Sequence, residues 1–168
     1  TLKRARFVER NGGDLFASDA FKCFLKQPAS KLDDTTIERF MALDDSDIWV
    51  ALKAWAKSTD KVLRILSDGI VNRHLFHLEI SNTEFSKSDI GARIERLCKA
   101  FDITSDEAQY LISENRVSNH LYNGGETAIE ILYSDGSTKS ISEASDMFNM
   151  DVLSREITKY YLSYYKVD

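Results

Sequence analysis

Few residues of this 168-residue chain have the types and spacing that do chemistry. The histidines are His74, His77 and His120. None stands in an HxxxH, HExxH or HxH spacing and none adjoins an Asp, so no metal centre is expected from this chain's own residues. There is no Cys-x-x-Cys pair, no GxxxxGK[ST], no GxGxxG and no GxSxG, which removes the usual phosphate cradles and nucleophile elbows. Asp44, Asp45 and Asp47 can be read as a cation site, but a helix cap with first-turn acids explains them with less. Asn123-Gly124-Gly125 reads as a hairpin turn. Arg73 and His77 differ in kind, because they share one face of a predicted strand at its entry, beside a helix end. A guanidinium suits bidentate contact with a phosphate or carboxylate. The alternative is a surface Arg and a partly exposed His. Asp68 and Glu79 are candidate carboxylate partners for Arg73, and a protein carboxylate or a subunit contact is expected ahead of a nucleotide phosphate.

The elements that must position these residues meet in one stretch, TDKVLRILSDGIVNRHLFHLEI, residues 59–80. Val62, Ile65, Leu66, Gly69 and Ile70 recur at helical spacing behind a Thr59 cap, and Ser67-Asp68-Gly69 reads as the helix end. From Leu75 to Ile80 polar and apolar residues alternate, with Phe76, Leu78 and Ile80 on one face. The chain changes period at Arg73. Before it, helices are predicted up to the stop Asn11-Gly12-Gly13, over Phe21 to Leu25 behind Ser18 or Asp19, from Thr35 or Thr36 through Met41, and from the Asp44 cap through Trp55. Pro28 and Ser30 punctuate. After it, the strongest helix starts at Ser86 or Ser88 and a helical turn follows over Ser105 to Leu111. Strands are predicted at Arg116 to Tyr122, Thr127 to Tyr133, Thr138 to Ile141 and Tyr160 to Val167, with Asp135-Gly136 as a turn and one or two short helices over Ser142 to Ile157. The order after residue 72 is β-α-β-β-α-β, the ferredoxin-like split βαβ order.

Composition bounds the partners. With 43% hydrophobic and 29% charged residues the chain is ordinary globular material. A net charge of −5 and a pI near 5.3 argue against sequence-independent nucleic-acid binding. No apolar run approaches the roughly 20 residues of a membrane span. Cys23 and Cys98 read as free thiols in a reducing cytoplasm. The chain opens with a basic run, Leu2 to Arg10, and no initiator Met, which reads as an internal boundary of a longer protein.

The run IVNRHLFHLEI, with FMALDDSDIWVALKAW upstream of it, resembles the C-terminal part of HD-superfamily phosphohydrolases, relatives of the deoxynucleoside triphosphate triphosphohydrolases. The opening KRARFVERNGGDLFASDAFKCFL and the later AIEILYSDGSTKSISEASD are similar to flanking parts of the same region in bacterial members. The resemblance implies a divalent metal held by a His, a His-Asp pair and a distal Asp. This chain contains no His-Asp pair, so that core is expected to lie outside it. The resemblance also implies that this portion builds subunit interfaces and a nucleotide effector site. There a hinge Arg, matching Arg73, meets effector phosphates, and two lysines assist. Here the lysine positions hold His77 and Tyr122, and a mostly neutral His is a weaker phosphate partner than Lys.

The resulting expectation is an α+β chain, with a helical segment over residues 1–72 packed on a ferredoxin-like unit over residues 73–168. Its expected role is the regulatory and oligomerisation portion of a cytoplasmic, metal-dependent phosphohydrolase acting on nucleotides, with no catalytic residue or cofactor of its own. Arg73, His77 and Tyr122 are the ligand or interface candidates, and a homo-oligomer with a nucleotide effector, no membrane and no nucleic acid is the expected partnership. The competing expectation is a stand-alone interaction or ligand-binding module.

Overall fold

The computed structural model of the chain describes residues 1–26, 33–120, 130–140 and 156–167. Its helices are α1 Leu2–Arg10, α2 Asp19–Lys26, α3 Asp34–Met41, α4 Asp45–Trp55, α5 Lys61–Val71, α6 Lys87–Phe101 and α7 Ser105–Ala108. Its strands are β1 His77–Ser81, β2 Ile112–His120, β3 Glu130–Leu132, β4 Thr138–Ser140 and β5 Glu156–Tyr164. The class is α+β. β1 and β2 are joined through α6 and α7, and β5 lies between them in a three-stranded sheet, so the strand–helix–strand connection is split by a third strand. β3 and β4 form a separate antiparallel hairpin with Ile131 opposite Lys139. Its turn is the expected one: Gly136 takes φ 84° and the Asp135 carboxylate accepts from the Ser137 N–H at 2.9 Å.

Local chemistry sets most helix ends. α1 stops in a Schellman arrangement, with Gly12 at φ 88° and the Gly13 N–H donating to the Val8 carbonyl at 2.9 Å. A Cβ on Gly13 would stand 2.5 Å from Val8 Cγ1 and 2.9 Å from its carbonyl oxygen, so only glycine fits there. Asp44 and Asp47 form a capping box on α4, which gives that acidic run its cap-and-dipole role. Two starts differ from the expectation. Asp33, not Thr35 or Thr36, caps α3, and Asp60, not Thr59, caps α5 by accepting from the Leu63 N–H at 2.7 Å. α5 also runs through Ser67-Asp68-Gly69 to Val71.

The chain divides into two compact units. The first comprises Thr1–Leu78, Ser86–Ser113 and Ser163–Asp168, and the second Glu79–Phe85 and Glu114–Leu162. The core of the first gathers Ala5, Leu15, Phe21, Leu25, Leu52, Trp55 and Leu63. Phe21 stacks on Trp55 at 5.8 Å, and the Trp55 indole N–H donates to the Phe16 carbonyl at 2.9 Å, which satisfies the polar end of a buried ring. α3 contributes no buried residue, and Phe40 and Met41 are 67% and 78% exposed.

β1 departs from the expected pattern. It begins at His77 rather than Leu75. Leu78 and Ile80 are more than half exposed, whereas Glu79 and Ser81 are half-buried. Alternation marks a strand but does not say which face meets the core. β2 starts at Ile112, four residues earlier than expected, and β5 spans Glu156–Tyr164, so Tyr165 to Val167 lie beyond the strand. Pro28 and Ser30, Tyr122, Asn123-Gly124-Gly125 and Thr127 to Ile129 lie outside the described residues, as do residues 142–155 of the helices expected over Ser142 to Ile157, whose last two residues, Glu156 and Ile157, are in β5 instead.

Candidate functional site

Arg73 sits immediately after the Asn72 cap of α5 in the left-handed region, at φ 60°. That conformation normally falls to Gly or Asn, because an L side chain meets its own carbonyl there, at roughly 1–2 kcal/mol. The turn lets the chain double back onto α5. At Gly69 an added Cβ would lie 3.1 Å from the His74 carbonyl oxygen and 3.4 Å from the Tyr165 ring. Asp68 does not meet Arg73. Its carboxylate accepts from the Asn72 side-chain amide at 2.7 Å and lies 3.7 Å from His74 Nδ1. The Arg73 N–H donates to the Ile70 carbonyl at 3.4 Å, and among the described residues its exposed guanidinium has no hydrogen-bond or ion-pair partner. The sequence expectation of a carboxylate partner in Asp68 is therefore not met, and Arg73 stands in a turn rather than in the strand.

His77 does enter the strand. Its ring packs against Tyr164, with centroids 5.2 Å apart and a 58° tilt. The Arg93 guanidinium lies 5.1 Å from the centre of the same tyrosine ring, an attractive cation–π distance. Next along the chain, Tyr165 makes edge contacts with Phe76 at 5.8 Å and Phe101 at 5.6 Å, and its N–H donates to the Leu111 carbonyl at 2.9 Å. Tyr164 and Tyr165 thus fix the end of β5 against the hinge and α6. The sequence places these tyrosines in a final strand and does not show that they organise the surroundings of His77. Adjacent tyrosines near the chain end gave no periodic signal. Of the three candidates, the structure brings His77 into an aromatic and cationic cluster and leaves Arg73 on the surface of the neighbouring turn. Tyr122 lies outside the described residues.

A second polar centre, unmarked by any motif, lies on α1. Arg4 is 5% exposed. Its Nε donates to Asp60 Oδ1 at 3.0 Å, and its Nη2 donates to Asp60 Oδ2 at 2.7 Å and to Glu107 Oε1 at 2.8 Å. Phe7 and Tyr110 lie 4.9 and 5.2 Å from the guanidinium carbon. Burial pushes the Asp60 carboxyl upward, but the Arg4 bonds and the Leu63 N–H outweigh it and hold it below the ordinary carboxylate range. The Thr104 N–H chiefly, against burial and with help from Arg4, holds Glu107 low. A hollow of about 700 Å³ opens beside Arg4, lined by Lys3, Phe7, Thr104, Asp106 and Tyr110 among others. Cations and carboxylates are mixed there and Arg4 is already matched by two acids, so the hollow carries no surplus of charge.

Among the described residues no three His, Cys, Asp or Glu side chains converge as a metal-binding group. No described helix is long and apolar enough to cross a membrane.

No family model matches the chain, and none of the curated proteins does. Among solved structures, the chain is similar to a phosphohydrolase from Bacteroides thetaiotaomicron VPI-5482, with 37% sequence identity and a TM-score of 0.89. The similarity covers 97% of this chain and 41% of that one. The chain therefore spans less than half the length of this phosphohydrolase relative.

Proposed function

We propose that this chain is the regulatory and oligomerisation portion of an HD-type, metal-dependent phosphohydrolase that acts on nucleotides. The observation that supports this reading is the likeness to a phosphohydrolase at 37% identity along 97% of the chain, over 41% of the relative's length. Catalysis then belongs to the remainder of such a protein, where a metal-activated water does the hydrolysis. Arg73 is the contact residue in this reading. A guanidinium on a left-handed turn, with no carboxylate partner among the described residues, is placed for an anion or a neighbouring subunit. Self-association through a second copy is part of the same reading, and the exposed apolar residues of α3 and α4, Phe40, Met41 and Trp49, support it.

The isolated chain is expected to be inert with Mg²⁺ or Mn²⁺ against nucleoside triphosphates and a generic phosphodiester. Turnover that tracks with the protein through repurification overturns the assignment. Calorimetric titration of a nucleoside triphosphate into wild type and Arg73→Ala tests the contact residue. Binding lost in the variant supports a nucleotide effector. No binding in either, with an altered sedimentation coefficient in the variant, supports a subunit contact. A coding sequence upstream of Thr1 without a His…His-Asp…Asp pattern favours the stand-alone module instead.

A further inference from the structure

α1 and α3 carry opposite charge on the faces they turn to solvent. Residues 1–10 hold Lys3, Arg4, Arg6 and Arg10 against a single acid, Glu9. Arg4 and Glu9 are buried, so the exposed side of α1 keeps Lys3, Arg6 and Arg10 together with the half-exposed ring of Phe7. Positions 3, 6, 7 and 10 recur at i, i+3, i+4 and i+7 and form one stripe. Residues 33–47 hold six acids, Asp33, Asp34, Glu38, Asp44, Asp45 and Asp47, against one cation, Arg39. No residue of α3 is buried. Its outer stripe is Asp34, Ile37, Glu38 and Met41, at the same spacing, with the exposed Phe40 beside it. Each stripe sets apolar side chains among charges of one sign, and the two signs are opposite. Among the described residues the side chains of Arg10, Asp34 and Glu38 make no hydrogen bond or ion pair.

α2 touches both helices at one residue. Arg6 Nε donates to the Phe24 carbonyl at 3.3 Å, and the Phe24 ring meets the Phe40 ring edge-on at 6.3 Å. The Arg39 guanidinium donates to Cys23 Sγ at 3.0 Å, which turns the one cation of the acidic run toward α2. A basic helix and an acidic helix therefore both border Phe24. A surface built this way is its own complement. A two-fold axis near Phe24 brings the α1 stripe of one copy against the α3 stripe of the other, and the same contact is made twice. Phe40 and Met41 supply an apolar centre, and the charges form its rim. Helices of nine and eight residues bury a modest area, so the contact is expected to be weak and concentration-dependent.

We infer that two copies of this chain pair through these faces, α1 of each on α3 of the other, with Lys3, Arg6 and Arg10 against Asp34 and Glu38. The inference rests on the self-association proposed above and names its surface and its symmetry. It assigns no role to Arg73, His77 or Tyr122.

The test is sedimentation velocity of the 168-residue chain over a concentration series reaching about 1 mM, a range that resolves weak dimers, with circular dichroism to show that each variant is folded. Arg6→Glu with Arg10→Glu reverses the α1 stripe, and Asp34→Lys with Glu38→Lys reverses the α3 stripe. Wild type is expected to form a dimer. Each reversed variant is expected to dimerise roughly ten-fold more weakly or worse, because like charges then face each other. An equimolar mixture of the two is expected to dimerise again, since both contacts of the mixed pair join opposite charges. Substitutions that merely damage a helix do not recover in this way. Lys99→Glu, an exposed change on α6, is expected to behave as wild type. Arg6 also bonds to α2, so where the α1 variant fails to fold the α3 variant decides alone. A dimer unchanged by the α3 reversal overturns the inference and leaves self-association standing. So does a mixture of folded, weakened variants that stays monomeric. A wild-type monomer throughout the series overturns the pairing and the self-association together, and points to another part of a longer protein as the cover of these faces.

Discussion

Arg4 and Asp60 stand 56 positions apart and meet through three contacts within hydrogen-bond range, the shortest 2.7 Å. Asp60 serves twice, since the oxygen that receives Arg4 Nε also caps α5. Arg4 likewise serves twice, because its Nη2 reaches Glu107, the reciprocal member of the capping box on α7. One buried cation therefore holds the starts of two helices.

Removing one member should cost more than removing a surface pair. Asp60→Ala is expected to destabilise by about 3 kcal/mol or more, because it leaves a buried guanidinium with one acid and removes a cap. Arg4→Met is expected to cost less, since it leaves two carboxylates that are 19% and 30% exposed and can hydrate. Chemical denaturation of both variants checks the order. Equal and small losses would show that the triad is an ordinary surface pair.

The same triad sets a pH dependence. Asp60 and Glu107 are both held below their ordinary values, so their contribution is present above the unfolded carboxylate range, about 4, and is lost as pH falls through the lower folded values. The stability gap between wild type and Asp60→Asn is expected to be flat from neutral pH down to about 5 and to close below about 4. A gap that widens on acidification contradicts the assignment.

Arg73→Gly is expected to raise the melting temperature, because glycine carries no Cβ penalty at φ 60°. Relief of the strain, less the greater freedom of glycine in the unfolded chain, leaves a gain of about 0.5–1 kcal/mol. Arg73→Val should move in the opposite direction. A loss of stability in the glycine variant would indicate that the guanidinium holds the fold.

Gly13→Ala is expected to destabilise more than Gly12→Ala. Gly12 needs a left-handed backbone with open space around it, at about 1 kcal/mol for alanine. At Gly13 the new methyl group meets the Val8 side chain and backbone, so the end of α1 must move. Thermal melts of the two variants decide it.

Tyr165→Leu is expected to keep the apolar volume and lose the edge contacts with Phe76 and Phe101, each about 0.5–1.5 kcal/mol beyond burial. The loss should appear as reduced amide protection at the Arg73–Phe76 turn. Unchanged protection there would remove Tyr165 from its role at the hinge.

How far these features were legible in the sequence depended on the range of their causes. The Asp44 capping box and the Asn11-Gly12-Gly13 stop were legible because each is closed within a few residues. Thr59 and Asp60 are both good caps, and the choice between them falls to Asp60, which also holds Arg4. The change of period near Arg73 was visible, but its left-handed backbone was not, since no Gly or Asn stood there to announce it. On β1 the alternation was real, yet the apolar side faces outward. The contact of the Arg93 guanidinium with the Tyr164 ring joins α6 to the end of β5, and no local pattern marks it.

The Arg4–Glu107 bond spans 103 positions, and this sets an order of events during synthesis. At roughly 5–20 residues per second, α1 leaves the ribosome several seconds before the acid that completes its surroundings. Until then the Arg4 face has no full set of partners and must stay hydrated, so the N-terminal helices are expected to remain protease-sensitive in nascent chains shorter than Glu107. Closing so long a loop late also places this unit among slow folders relative to a helical bundle with only near-neighbour contacts.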